Sequence, residues 1–563
     1  MELPFRQVWA SDFEFEAPPG ERQIPVCLVA RELKSGQTIR LWQSDLGDRP
    51  PYDIGADSLF VSYSATAELS CHLALGWPMP ARILDLFTEF RCQTNGLPLT
   101  SGWNLLGALT QFGLDSSGAT EKKEMQEAIG NGAWRGRYTP QEITTYCERD
   151  VVAVERLLPK LLPKLDLGRA LIRGRYMAAL SRIVHAGIPI DVDMLNRMIA
   201  GWGDIRDRLI AEVDVDYGVY QGTTFKHDLF EALLGRLGIP WTRTASGRLE
   251  LTDEAFEEGA AAHPILHPLR ELRSSLGKLR LQGLEVGKDA RARCWLNPFG
   301  TKTGRNAPSS KRFIFGPSKW IRGLIKPPVG YGIAYIDWSA QEFGIAAALS
   351  GDAAMMEAYS SGDPYLWLGK HSGAIPPDAD KSHPRRDQLK VVALSAMYGA
   401  GEGRIAATLN EPVVFARDLI QQHKNAFPTF WRWIQACVDS ANLTGVIRAV
   451  YGWQMHTRYN KPNTVFNYPM QGNGAEMMRI ACMLGTEAGI EICAPVHDAV
   501  LIAAPLDRLD DDVARMREIM RVAGEKVLGG FKLRTSAEVV RYPDRYMDAR
   551  GRVMWERVVR LLE

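Results

Sequence analysis

The feature that most limits what this chain can become is APVHDAVLIAAP, where His497 and Asp498 stand between two apolar runs. Such runs read as buried strands, and a polar pair fits between them only at a hairpin tip that water can reach. A further apolar strand, YGIAYID, ends on Asp337 and runs straight into a helical block. Two aspartates carried at strand ends are therefore expected to meet at one edge of a sheet.

The 563 residues are 46% hydrophobic and 24% charged, enough to build several cores and too apolar for a disordered or fibrous chain. No apolar stretch reaches the roughly 18 residues of a membrane span, and MELPFRQVWASDFEFE lacks a basic-then-apolar leader, so the expectation is no membrane and a cytoplasmic protein, in the host cytoplasm if phage-encoded. The eight cysteines show no zinc-ligand spacing and read as buried free thiols. A net charge of +1 says little about partners, because nucleic-acid binding depends on local basic surface.

Texture divides the chain. Strand-like and helical runs alternate through residues 1–164, amphipathic helical patterns fill 165–294, and 295–563 mixes a basic loop, apolar strands and helices. The predicted class is α/β and multi-domain.

In WASDFEFE, Asp12 and Glu14 lie two apart in a strand and so project from one face. In TTYCERD, Tyr146 and Asp150 lie four apart on one helix face, and Glu68 opens a helix after the strand FVSYS. Hard oxygen ligands of this kind suit Mg²⁺ or Mn²⁺, and a two-ion site can activate water and stabilise the leaving oxygen of a phosphodiester. Asp85 in RILDLFTEFR competes with Glu68 for the middle position, although a carboxylate favoured by a helix N-terminus explains it better than a metal ligand does. In the last third, RRDQLKVVALSAMYGAG repeats Arg386, Lys390, Leu394 and Tyr398 every four residues, placing two cations, an apolar and an aromatic side chain along one helix face. From Thr301 to Ile336 the chain carries Lys302, Arg305, Lys311, Arg312, Lys319, Arg322 and Lys326 without an acidic residue. With Arg270, Arg273, Lys278 and Arg280, this suits a salt-sensitive phosphate track.

The order Asp12, Glu14, Glu68, Tyr146, Asp150 resembles the three motifs of the 3′-5′ proofreading exonuclease in family A DNA polymerases, a ribonuclease H-like fold. Residues from Trp295 onward resemble the polymerase domain of that family, in its compact bacteriophage arrangement: Asp337–Glu342 is similar to motif A, Arg386, Lys390 and Tyr398 to motif B, and Val496–Asp498 to motif C. The resemblance implies a right-hand architecture with a helical thumb at 165–294, palm and fingers at 295–563, and fingers at about 351–443. It implies two Mg²⁺ per active site, replaceable by Mn²⁺, on Asp337, Asp498 and the Trp338 carbonyl, and on Asp12, Glu14, Glu68 and Asp150. Arg386, Lys390 and Tyr365 would hold the deoxynucleoside triphosphate, Leu394 and Tyr398 would border the nascent pair, and Glu342 would exclude a ribose 2′-hydroxyl. Arg305, Asn467, Gln471 and His497 would contact primer-template DNA. The implied protein is a DNA-directed DNA polymerase acting in phage-type replication, as a monomer with accessory proteins as possible partners. Ala499 replaces the usual motif C Glu, Leu394 an aromatic, Tyr365 a His, and Glu68 an Asp. A nuclease with a degenerate polymerase half, a noncatalytic binder of replication forks and a single-subunit RNA polymerase are the rival readings.

Overall fold

The computed structural model describes residues 3–114, 119–244, 246–278, 281–316, 318–409 and 411–563. An amino-terminal five-stranded sheet is built from β1 (Gln7–Glu16), β2 (Ile24–Glu32), β3 (Thr38–Trp42), β4 (Ser58–Ser62) and β5 (Ile83–Asp85), in the order β3-β2-β1-β4-β5. The first three strands form an antiparallel meander, while β4 and β5 run parallel to β1. Period-two alternation along β1 feeds two cores: Val8 and Ala10 pack with Ile143, Cys147 and Val151, whereas Trp9 and Phe13 pack on the opposite face with Leu69 and Met177. Asp12 and Glu14 belong to the even-numbered set and so face the helix Pro140–Leu161. That helix is fixed in register by a capping box, Glu142 N–H donating to Thr139 Oγ1 while the Glu142 carboxylate accepts from Thr139 N–H.

Helices Val192–Ala200, Trp202–Asp214, His227–Leu237, Asp253–Ala262 and His267–Lys278 make the middle piece largely helical, as its pattern predicts. The helix Leu167–Ala186 does not stand with them. It lies between the two α/β units, packed on β5 and the helix Thr66–Ala74 on one side, and on the helix Pro462–Glu487 and the strand Glu491–Val496 on the other. Its Gly174 lies so close to the Ile83 carbonyl that a Cβ there would sit 2.0 Å from the oxygen. Arg173, one residue earlier, makes a buried bidentate pair with Glu89 at 2.6 and 2.7 Å. Small size and paired charge, rather than a plain apolar stripe, let this helix serve both units, which is why periodicity assigns it to the helical middle.

The carboxy-terminal sheet has four antiparallel strands in the order Glu491–Val496, Ala499–Pro505, Tyr331–Trp338, Thr535–Arg541. A two-residue turn joins the first two, with His497 in the left-handed region at φ 55°. Among the described residues no helix is long and apolar enough to cross a membrane. All eight cysteines are free; six are buried as expected, but Cys294 and Cys437 are only half-buried.

Candidate active sites

Asp337 is the penultimate residue of the inner strand Tyr331–Trp338 of the carboxy-terminal sheet, facing Ala499 on one neighbour and Ser536 on the other. The hairpin turn brings Asp498 beside it, and Trp338 N–H donates to the Asp498 carbonyl at 3.1 Å. Burial, then repulsion from Asp337, holds the Asp498 carboxyl above its usual range, while burial and Arg305 lower His497. The two aspartates, Trp338 and His497 line a cavity of about 610 Å³ together with Arg305, Glu342, Tyr365, Arg386, Lys390 and Leu394, all read from the sequence as site residues. The carboxylates lie on the sheet, and the cations Arg386 and Lys390 face them from the helix Pro384–Met397. Such a cleft can take an anionic ligand with a divalent cation between phosphate and carboxylate.

Two pairings inside the cleft have no counterpart in the linear pattern. Arg386 Nε donates to Asp363 at 2.6 Å, and Asp363 also caps the helix Pro364–His371 by accepting from Tyr365 and Leu366 N–H. Arg305 pairs with Glu342 at 3.4 Å; burial raises the Glu342 carboxyl and Arg305 opposes that rise. Lys381, Asp363 and Arg534 also line the cavity and went unread, because each sits in a short connection or at a helix start without a periodic signal.

Tyr398 departs from the expected common face. It caps the helix Pro384–Met397 and lines an adjoining cavity of about 680 Å³ with Lys302, Arg404, Asn467 and Gln471. Steps of four residues drift by about 40° each on a 3.6-residue helix, so three steps turn the fourth side chain away from the first. Asn467 and Gln471, both on the helix Pro462–Glu487, therefore share a cavity with Tyr398 beside the aspartate cleft.

The amino-terminal cluster assembles as its spacing predicts. Ligand atoms of Asp12, Glu14 and Cys147 lie within 4.8 Å of one another. Glu68 reaches in from the helix Thr66–Ala74 and accepts Phe13 N–H at 2.9 Å. Burial raises Glu14, with Asp12, Asp150 and Glu68 adding repulsion; burial and Asp12 likewise raise Glu68. Tyr146 is buried in the same neighbourhood, its phenol raised by burial and by Glu14 and Asp150. Cys147 is an addition that no pattern along the chain selects, since its thiol meets the Asp12 carbonyl at 3.2 Å only once helix and strand pack. Asp85 is turned elsewhere. It accepts from Ser64, Phe87 and Thr88 N–H and from the Thr88 hydroxyl, and burial raises it to about 6. Asp85 is a helix cap, and Glu68 faces the cluster.

The basic run is less free than its sequence suggests. Arg305 pairs with Glu342, Arg312 with Glu285, Lys326 with Asp191, and Arg322 is buried against Asp548 at 2.6 Å. Arg273 lies 4.7 Å over the Phe225 ring and 4.6 Å over Phe256, and Arg270 pairs with Glu257. The Lys278 side chain and Arg280 lie outside the described residues. Acidic partners distant in sequence supply the sign that the local run lacks.

Fold and cleft define a protein with a carboxylate-tipped antiparallel sheet facing a cationic helix across a nucleotide-sized cavity. Residues 221–539 match the profile of DNA polymerase family A, and the chain belongs to that family. It is 25% identical to the DNA polymerase of Mycobacterium phage D29 over 71% of this chain and 67% of that one. It is 24% identical to the thermostable DNA polymerase I of Thermus thermophilus over 66% of this chain, and to the DNA polymerase of Escherichia phage T5 over 68%. The chain spans about half the length of those two relatives, 48% and 53%. Its fold matches the POL domain of Pol1 from M. smegmatis, solved with DNA primer-template and dNTP, at TM-score 0.76 and 19% identity over 95% of each chain. That likeness is broad enough to take in the amino-terminal sheet, which the family profile does not reach.

Proposed function

We propose that this chain is a DNA-directed DNA polymerase that extends a primer on a template and edits the primer 3′ end in a ribonuclease H-like exonuclease unit. The observation that carries the reading is the cleft where Asp337 and Asp498 face Arg386 and Lys390. The donor sets fit divalent cations, because carboxylates whose burial and mutual repulsion raise their proton affinity gain from a cation placed among them. Asp337, Asp498 and the Trp338 carbonyl would hold two Mg²⁺ or Mn²⁺ in one site, and Asp12, Glu14, Glu68 and Asp150 two in the other; bound ions supply Lewis acidity and neutralise developing charge.

The chain's own residues do the rest. Arg386 and Lys390 grip triphosphate oxygens by charge-assisted hydrogen bonds, and Asp363 holds the Arg386 side chain in place. Tyr365 offers one hydroxyl donor beside them. Glu342, pinned by Arg305, stands where a ribose 2′-hydroxyl would meet a half-buried carboxylate, which favours deoxynucleotides. Leu394 and Tyr398 border the base pair, while Arg305, His497, Asn467 and Gln471 contact primer and template. In the amino-terminal unit, Tyr146 orients the attacking water among Asp12, Glu14, Glu68 and Asp150. The phage D29 and T5 relatives support a role in phage-type replication. A monomer acting in the cytoplasm is part of the same proposal.

The test is extension of a labelled primer-template with Mg²⁺ and four deoxynucleotides. Asp337→Ala is expected to abolish extension while degradation continues, and the double change Asp12→Ala, Glu14→Ala to extend without degrading. An intact chain that only degrades would sink the polymerase reading and leave a nuclease.

A further inference from the structure

Arg534 lies outside every motif that the sequence suggested, in the connection just before the edge strand Thr535–Arg541. Its backbone is clamped to the end of the strand that bears Asp337: Ser339 N–H donates to the Arg534 carbonyl at 2.9 Å, and Arg534 N–H donates to the Tyr359 hydroxyl at 2.8 Å. That hydroxyl in turn donates to the Ser339 carbonyl at 3.0 Å. The Arg534 guanidinium lies 4.8 Å over the Tyr359 ring and donates to the Gly362 carbonyl at 3.3 Å. Gly362 has φ 101°, and a Cβ there would sit 3.3 Å from Arg534 Nη1, so glycine leaves the guanidinium its space. The side chain is exposed and lines the aspartate cleft.

Its charge differs from that of the other cleft arginines. Arg305 and Arg386 are each paired with a carboxylate, whereas among the described residues no carboxylate pairs with Arg534. A guanidinium has five N–H donors, and a single carbonyl leaves most of them for a ligand. Register places it, since Asp337 faces Ser536, Trp338 faces Thr535 and Ser339 N–H meets the Arg534 carbonyl, which sets Arg534 just beyond the end of the sheet that carries Asp337. Arg386 and Lys390 approach from the fingers side, so Arg534 completes the ring of cations from the palm side.

We infer that Arg534 is a phosphate-binding residue that contacts the outer phosphates of the incoming triphosphate and the pyrophosphate released from it. The assignment rests on the polymerase reading and extends it to a residue of the last palm strand. Because the backbone clamp runs through Ser339, this cation is tied to the end of the strand that bears Asp337. A positive charge fixed there also retains pyrophosphate after bond formation, so the same residue sets sensitivity to product inhibition.

The experiment compares the intact chain with Arg534→Ala and Arg534→Lys. It measures KM and kcat for deoxynucleotides, inhibition by inorganic pyrophosphate, primer-template affinity, and calorimetric titration of magnesium pyrophosphate without DNA. A lost charge-assisted contact predicts that Ala raises KM and weakens pyrophosphate inhibition and binding by about tenfold each, with Lys recovering part and DNA affinity unchanged. If KM and both pyrophosphate constants hold in the Ala variant while kcat or DNA affinity falls, Arg534 is only a latch to Gly362 and the inference fails. If the unaltered chain never extends a primer yet loses pyrophosphate binding with Ala, the anion site stands and the polymerase reading alone falls. Pyrophosphate binding untouched by both changes overturns the inference in either case.

Discussion

Glu68 and Asp85 are both almost fully buried, and they do different work. Asp85 accepts three backbone N–H groups and a hydroxyl, so Asp85→Ala leaves a helix start uncapped and is expected to cost about 1–3 kcal/mol of stability. Glu68→Gln keeps the shape and removes a negative charge from the cluster, and should lower primer degradation by at least about 100-fold with little change in the urea midpoint. Equal loss of degradation in both variants would mean that the cap belongs to the site. Protons report on the same cluster. Glu14 and Glu68 are raised by burial and by their acidic neighbours, so a cation must displace protons as it binds. Mn²⁺ affinity should therefore rise with pH, and calorimetry in buffers of different ionisation enthalpy should show proton release that Glu14→Gln reduces. With chelator present, the sign for folding is opposite. A raised carboxyl contributes stability that is complete below its unfolded value and lost as pH rises through the folded one.

At the scale of elements, two segments behave differently from their sequence patterns. The segment 301–336 carries seven cations and no acid, yet four of them are paired with Glu342, Glu285, Asp548 and Asp191. Seven free phosphate contacts would give a log–log salt slope for duplex binding near −6, from about −0.9 per neutralised phosphate. The pairing predicts a clearly shallower slope in a fluorescence titration across salt concentrations, and a slope near −6 would mean that DNA breaks those ion pairs. The helix Pro384–Met397 shows the other limit of pattern reading. Arg386, Lys390 and Leu394 reach one cavity, and accumulated helical drift delivers Tyr398 to the next.

For the molecule as a whole, the helix Leu167–Ala186 makes the two α/β units one folding problem. The buried Arg173–Glu89 pair, Gly174 against Ile83, and hydrogen bonds from Asn95 to the Lys302 and Gln454 carbonyls, 2.6 Å each, cross the seam. Arg173→Met strands Glu89 as a buried charge and is expected to cost about 3–5 kcal/mol. Loss of primer extension and loss of degradation should then shift together on heating, in one transition. Separate midpoints for the two activities would show that the units unfold independently.

What the sequence determined by itself is the chemistry and its order. Strand periodicity put Asp12 and Glu14 on one face, apolar runs put Asp337 and Asp498 at strand ends, and the helix repeat put Arg386 and Lys390 on one side, because side-chain direction follows from two local periods. Tertiary structure decided everything that depends on partners far apart in the chain. It chose Glu68 over Asp85 by turning one into the cluster and the other onto a helix end. It neutralised the basic loop, set the helix Leu167–Ala186 between two units, and brought Cys147 and Arg534 to the two sites. None of these leaves a periodic trace, since each arises from packing one element against another, and burial and pairing set the charge each residue presents.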